Sequence, residues 1–317
     1  MTHEAHAVIG ANWGDEGKGL AVDAIAARLS GTCKDVVVVR TNGGAQAGHG
    51  VERPDGGRHI FHHVGAGTFA GAATHLSRFF VAHPMMLGAE LAGLSHLGTS
   101  PRTITIDPRA AVTTSWDMAI NQALEAARAG SRHGSTGLGF GETVERHETG
   151  PRLVAADLWR SNLRSRLLDI RDGWLPGRIA ALRLDLDVSP LLPILTGGID
   201  LVDRFLEDCD RFTRSVALMD DADLALADAI VLEGAQGLQL DMTFGTFPHV
   251  TRSRTGLANM LAVAAEAGIE AIAPLYVTRS YATRHGAGPL PHEEAGPDGC
   301  GRVAWADVVD PTNVPNA

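Results

Sequence analysis

His6-Ala7-Val8-Ile9-Gly10, followed by Ala11-Asn12-Trp13-Gly14-Asp15-Glu16-Gly17-Lys18-Gly19, is the stretch that decides the fold class. The first five residues read as a short apolar strand, and the glycine-spaced turn after them opens a helix expected to run through Leu29. A strand that delivers such a turn to a helix N-terminus aims backbone N–H groups and the helix dipole at phosphate. The spacing departs from the P-loop pattern G-x-x-x-x-G-K-[ST]: Asn12 stands where glycine belongs, and Gly19 replaces the hydroxyl that holds Mg²⁺. Against an ordinary strand-to-helix connection stand three glycines and a lysine within residues 14–19. Lys18 is then a point charge for phosphate. Asp15 cannot grip phosphate itself, because two anions repel. It either binds Mg²⁺ or takes a proton from a second substrate.

Working outward, Asp35–Arg40 is a Val run that reads as a buried parallel strand. It ends in Asn42-Gly43-Gly44-Ala45-Gln46-Ala47-Gly48-His49-Gly50. Ligands of open parallel sheets lie beyond the carboxyl ends of the strands, so both glycine-rich loops sit on the expected functional edge. His49 is a candidate for catalysis or phosphate contact, and the Gly48 carbonyl is a candidate metal ligand. Further strands are expected at Arg58–His62, Arg78–Ala82, Arg102–Asp107, Ala229–Glu233 and Ala271–Thr278, with helices at Pro84–Leu94, Thr113–Ala129 and Thr255–Ala267. Residues 155–219 carry helical periodicity broken by prolines and read as a helical insertion. The expected class is α/β, a central, mostly parallel sheet flanked by helices, in one domain over 1–317.

Composition narrows the function. A net charge of −10 argues against a surface built for nucleic acid, while leaving room for a locally basic nucleotide pocket. Cys33, Cys209 and Cys300 form no C-x-x-C pair, which fits a reducing compartment. No apolar run is long enough to span a membrane, and a cytosolic location is expected. Lysine occurs only at Lys18 and Lys34, so any chemistry needing a later lysine is excluded.

Other motifs carry weaker signals. Ser135 and Thr136 between glycines suit a phosphate grip, with Arg146 adding charge. Gln236, between glycines at a strand end, suits reading an amide edge or a base. Thr251 with Arg252 and Arg254 suits an anion, one of the two arginines facing solvent. Arg279, Arg284 and Arg302 suit a carboxylate, which the guanidinium fork fits. His59, His62 and His63 lack tetrahedral zinc spacing and read as a strand edge.

Taken together, WGDEGKG (13–19), NGGAQAGHG (42–50), GSTGLGFGETVER (134–146), EGAQGLQLD (233–241), GTFPHVTRSRT (245–255) and TRSYATRHGAGPLP (278–291) resemble adenylosuccinate synthetase. The resemblance implies a homodimeric, Mg²⁺-dependent ligase with a P-loop-NTPase-like core. Its reaction moves a γ-phosphate to O6 of a purine monophosphate, and aspartate's amine then displaces that phosphate. By the resemblance, Asp15 is the base that removes the N1 proton and also touches Mg²⁺. His49 is the acid beside the departing phosphoryl group, and Lys18 stabilises the transferred charge. The triphosphate is assigned to Gly14, Glu16, Gly17, Lys18, Gly19, Gly48, His49 and Gly50. The purine monophosphate is assigned to Asp15, Asn42, Gln46, Ser135, Thr136, Arg146, Gln236 and Thr251, with Arg146 reaching across a dimer. Aspartate is assigned to Gly301 and Arg302, and the metal to Asp15 and Gly48.

The departures from the family pattern point to a branch. The late Lys-x-Asp element that reads guanine is absent, which implies ATP or dATP rather than GTP. The aspartate loop is short, with Ala304 at a second arginine position, and Gly50 replaces threonine. These features are similar to the phage branch, which joins L-aspartate to dGMP. Some members of that branch carry a small residue at the Asp15 position, so IMP stays open as the substrate. A nucleotide-binding switch without turnover is the reading from another class. No nucleic-acid or membrane partner is expected.

Overall fold

Val36–Arg40 and Ala229–Glu233 are buried at every position, as strands covered on both faces must be. The computed structural model describes residues 4–128, 135–184, 191–197, 200–284 and 288–290. Its strands are β1 (Glu4–Gly10), β2 (Val36–Arg40), β3 (His49–Glu52), β4 (Arg58–Phe61), β5 (Ala73–Leu76), β6 (Val81–Ala82), β7 (Ile104–Ile106), β8 (Ala111–Val112), β9 (Ala217–Leu218), β10 (Ala229–Glu233) and β11 (Ala271–Val277). Seven of them form one sheet in the order β11-β1-β10-β2-β5-β7-β9, with every pairing parallel. All their carboxyl ends therefore open on one edge.

Helices α1 (Lys18–Ser30), α2 (Pro84–His96), α3 (Ser115–Ala127) and α4 (Phe140–Thr149) precede the insertion, which contains α5 (Leu163–Leu168), α6 (Leu175–Leu182), α7 (Leu192–Leu195) and α8 (Val202–Ser215); α9 (Leu257–Glu266) follows it. The two-residue period of the strands divides the core. Val36 and Val38 face a cluster built with α1, α2, α3, α5 and α8. Val37 and Val39 face the other cluster, with Met260 and Val263 of α9. The chain divides into two compact units, Met1–Ala287 and Gly288–Ala317.

One strand expectation is corrected. Arg78–Ala82 is not a single strand: β5 ends at Leu76, the chain turns through a Phe80 N–H bond to the Ser77 carbonyl of 2.9 Å, and only Val81–Ala82 pairs, with β8. Arg78 is drawn out of the run by Asp221 and Glu266. The Arg58–His62 expectation does give a strand, but it pairs antiparallel with β3 in a hairpin outside the main sheet.

Arg146 is the second correction. It lies on α4, fully buried, and does not reach outward to a phosphate or a second subunit. Its Nε and Nη2 donate to the two carboxylate oxygens of Asp117 at 2.9 and 2.8 Å, Nη2 also to the Val112 carbonyl, and Nη1 to the Pro151 carbonyl. Asp117 in turn closes the capping box that starts α3 on Thr114. The pair clamps α3 to α4, and every nitrogen of the guanidinium is committed to it. Arg146→Met, which leaves Asp117 buried without its cation, is expected to lower stability by about 3–5 kcal/mol in urea denaturation. Unchanged stability with weaker nucleotide binding would return Arg146 to the ligand.

Candidate functional site

The turn between β1 and α1 is built around a carboxylate. Glu16 points inward and is buried; its Oε1 accepts from the backbone N–H of Asn12 at 3.1 Å and of Gly14 at 2.8 Å. Its Oε2 accepts from Lys18 Nζ at 2.6 Å, with both side chains almost out of solvent. The carboxylate fits because positions 10 and 237 have no side chain: a Cβ on Gly10 would collide with Glu16 Oε2, and one on Gly237 would lie 2.6 Å from Oε1. The Glu16 carboxylate is therefore not the part of the residue offered to a triphosphate, which leaves that contact to the turn's backbone N–H groups. It is an internal anion that shapes the turn and holds Lys18. Asp15, by contrast, is exposed on the crest at φ +59°, a conformation that non-glycine residues rarely adopt, between Gly14 and Gly17 at positive φ. Arg279 Nε donates to the Asp15 carbonyl, so the loop after β11 reaches this turn. No side chain caps α1, whose first N–H groups remain available to an anion.

The loop after β2 abuts the same turn. A Cβ at Gly19 would come within 2.8 Å of the Gly50 carbonyl and 3.1 Å of the His49 backbone, so glycine at 19 lets the helix start meet His49. This close approach is the physical reason a serine or threonine is missing there. His49 is buried, and its Nδ1 lies 2.5 Å from Glu233 Oε1 at the end of β10. Burial pulls the ring's pKa down to about 4; Glu233 opposes that shift, while Arg40 and Lys18 add to it. Glu233 is held below the usual carboxylate range despite its burial, by Arg40 and His49. The pair is thus a neutral ring donating Nδ1–H to a carboxylate, with Nε2 left as the ring's acceptor.

Two amides complete the edge. Gln46 Nε2 and Gln236 Oε1 are buried without a protein partner, and Gln236 shares with Asp15 a positive φ of 59°. Buried amide atoms in such a state mark a place where a ligand's own donor and acceptor fit. Asn42 differs from the expectation. Its Oδ1 accepts from Ala235 N–H at 2.7 Å and its Nδ2 donates to the Ala235 carbonyl and Ser253 Oγ, so it ties two loops together.

Ser135 Oγ bonds Asn121 Oδ1 at 3.0 Å and accepts from Gly137 N–H, while Thr136 is exposed. Thr251 is half-buried, with its N–H on the Leu240 carbonyl. Its neighbour Arg252 is taken by Glu145 and Glu148, and Arg254 faces solvent. Arg284 Nη2 donates to the His249 carbonyl at 3.1 Å. Gly301 and Arg302 lie outside the described residues. Glu233 was missed as a site residue, although its signal was present: two buried parallel strands, VVVVR and AIVLE, end in opposite charges.

Two histidines away from the turn, His83 and His147, are pulled down to about 4, in each case first by burial. Folding favours their neutral forms, so the stability they confer is complete above the unfolded pKa near 6.5 and is lost as pH falls towards about 4. The urea midpoint is expected to drop between about pH 6.5 and pH 4. A midpoint flat across that window would contradict the neutral assignment.

Residues 7–303 match the family model described as adenylosuccinate synthetase. Similar relatives include the adenylosuccinate synthetases of Rhodococcus opacus, 29% identical over 294 residues, and Mycolicibacterium vanbaalenii, 31% identical over 303 residues. Each match covers 90% of this chain and 64% of the relative, so the chain spans under two thirds of their length. Among solved structures, a fully ligated adenylosuccinate synthetase from Plasmodium falciparum superposes with a TM-score of 0.67 at 22% identity, covering 90% of this chain and 64% of that one. A cyanophage S-2L succinoaminodeoxyadenylate synthetase bound to dGMP and dATP superposes with a TM-score of 0.52 at 17% identity, covering 85% and 61%. The matched span includes the turn, the His49 loop and the Gln236 loop, and the chain belongs to the adenylosuccinate synthetase family.

Proposed function

We propose that the chain is a C–N ligase that joins L-aspartate to C6 of dGMP, with ATP or dATP as the phosphoryl donor. The observation that carries this reading is Asp15, an exposed carboxylate on the crest of a turn whose own anion, Glu16, is already bonded internally. A second acid placed there suits proton removal more than phosphate binding. Asp15 takes the purine N1 proton, and O6 attacks the γ-phosphorus as the bond to the β–γ bridging oxygen breaks and ADP or dADP departs. Aspartate's amine then adds at C6, and O6 leaves as phosphate, giving 2-amino-2'-deoxy-N6-succinyladenylate. Lys18 and the first N–H groups of α1 stabilise the transferred charge. His49 serves as acid, since a bound polyanion raises the proton affinity of a nearby ring.

Hard oxygen donors at this edge fit Mg²⁺. No group of three or more His, Cys, Asp or Glu among the described residues could form a metal cage. Mg²⁺ suits this arrangement because it binds through few protein ligands and substrate phosphates. Asp15 and the Gly48 carbonyl would hold it, and it would supply charge neutralisation on the phosphates.

The choice of dGMP over IMP rests on the departures shared with the phage branch, the short aspartate loop with Ala304 and Gly50 after His49; Asp15 is compatible with it, since a carboxylate accepts from both N1–H and the 2-amino N–H of guanine. The cyanophage protein with dGMP and dATP bound lends support as a distant neighbour. The working form is proposed as a homodimer. Its partners are small molecules, and no helix among the described residues is long and apolar enough to cross a membrane.

Purified protein with Mg²⁺, aspartate, and each pairing of dGMP or IMP with ATP, dATP or GTP tests the reading by mass spectrometry. The succinyl product is expected from dGMP with ATP or dATP; product from IMP alone would make the chain an ordinary adenylosuccinate synthetase. Binding without product in any pairing would make it a nucleotide switch. Asp15→Asn is expected to lower turnover on the order of 10²-fold or more, the scale of a positioned base. Turnover that survives unchanged removes Asp15 from that role.

A further inference from the structure

Arg40 ends β2 fully withdrawn from solvent, and its Nε, Nη1 and Nη2 make no hydrogen bond to the protein. A guanidinium has five donors, and burying them unbonded is expensive unless the charge is used. The parallel register of β2 and β10 sets Arg40 opposite Glu233. Nε lies 4.0 Å from Glu233 Oε2, and the Phe80 ring lies 5.6 Å from Cζ. Glu233 has already spent its oxygens: Oε1 on His49 Nδ1 at 2.5 Å, Oε2 on the Ala66 N–H at 3.1 Å. Arg40 is thus held at ion-pair distance from Glu233, near enough to neutralise it and too far to take an oxygen from His49.

We infer that Arg40 is a positioning residue for His49: its charge keeps Glu233 a carboxylate, and through Glu233 it fixes the tautomer and direction of the His49 ring. A buried carboxylate with no cation beside it would take a proton. A protonated Glu233 would then offer O–H to Nδ1 and reverse the bond. The proton would sit on Nε2 of the neutral ring, and Nδ1 would face an O–H in place of the carboxylate that supports the charged ring His49 becomes when it acts as acid. The strand register holds this arrangement, since Arg40 and Glu233 each close a strand buried at every position. Phe80 accepts the cation on its ring face, so no oxygen needs to be diverted from Glu233.

This inference rests on the ligase reading for its kinetic consequence alone, and its test has an arm that needs no turnover. Nitrogen-15 NMR of the histidine rings reports which nitrogen of His49 carries the proton, with His49→Gln used to assign the signals. Arg40→Met and Arg40→Gln remove the charge with different polarity, and Arg40→Lys keeps it. The native ring and the lysine variant are expected to show Nδ1 protonated; the Met and Gln variants are expected to lose that signature. In turnover, the Met and Gln variants are expected to lower kcat by about 10- to 100-fold, the scale for a group that orients a functional ring, with KM for both nucleotides little changed. The lysine variant is expected to recover most of kcat. Native-like ring signals in both uncharged variants would overturn the inference, as would loss of the signature in the lysine variant. If no variant and no native protein turns over, the ligase reading fails, and the ring signals still decide the role of Arg40.

Discussion

The functional edge depends on a carboxylate that water does not reach. Glu233 closes β10 and bonds His49 at the start of β3 and the Ala66 N–H in the connection after β4, with Arg40 opposite it on β2. One buried acid thus joins the ends of two strands to the start of a third and to one connection. Glu16 repeats the device on the neighbouring turn, where one carboxylate gathers two backbone N–H groups and Lys18. Each buried anion has its own cation, which is how a chain of net charge −10 supports an edge suited to polyanions. Removing either partner alone leaves an uncompensated buried charge, the costly case for such pairs.

The resemblance of the 14–19 turn to a P-loop is therefore one of position more than of parts. In the common motif the hydroxyl after lysine serves the metal. Here Gly19 is there for contact, because the helix start lies directly against His49 and Gly50. Gly237 does the equivalent on the other side, leaving room for Glu16. What the turn gives up in metal ligands it gains in an outward acid, Asp15, held in a strained backbone conformation on the crest. Gln236 lies on the facing loop at the same positive φ, and the two are the kind of outliers that collect where a ligand is handled.

Much of the fold was legible from period and punctuation. AIVLE is a strand with the expected limits, VVVVR one that starts a residue later than expected, and the glycine-rich turn starts a helix at Lys18. Such features depend on neighbours within a few residues. What was not legible depends on partners far along the chain. Arg146 pairs with Asp117, 29 residues away, and Asn42 with Ala235, 193 away, and no local pattern announces either bond. The resemblance places both Arg146 and Asn42 at the purine monophosphate, and the side-chain bonds found here run to the protein instead. The inward turn of the Glu16 carboxylate needs two glycines, Gly10 nearby and Gly237 far along the chain, and only the first lies within reach of a local pattern. Arg78–Ala82 misled because an apolar run is read as a strand unless the charges that bend it are known.

The central claim is that one turn both grips phosphate and, through Asp15, makes the purine oxygen a nucleophile. The most direct measurement follows that oxygen. With dGMP carrying ¹⁸O at position 6, ATP, Mg²⁺ and aspartate, the label is predicted to leave the purine and appear in inorganic phosphate, in step with the succinyl product. Succinyl product formed alongside unlabelled phosphate would contradict the account, because O6 would then never have been bonded to phosphorus.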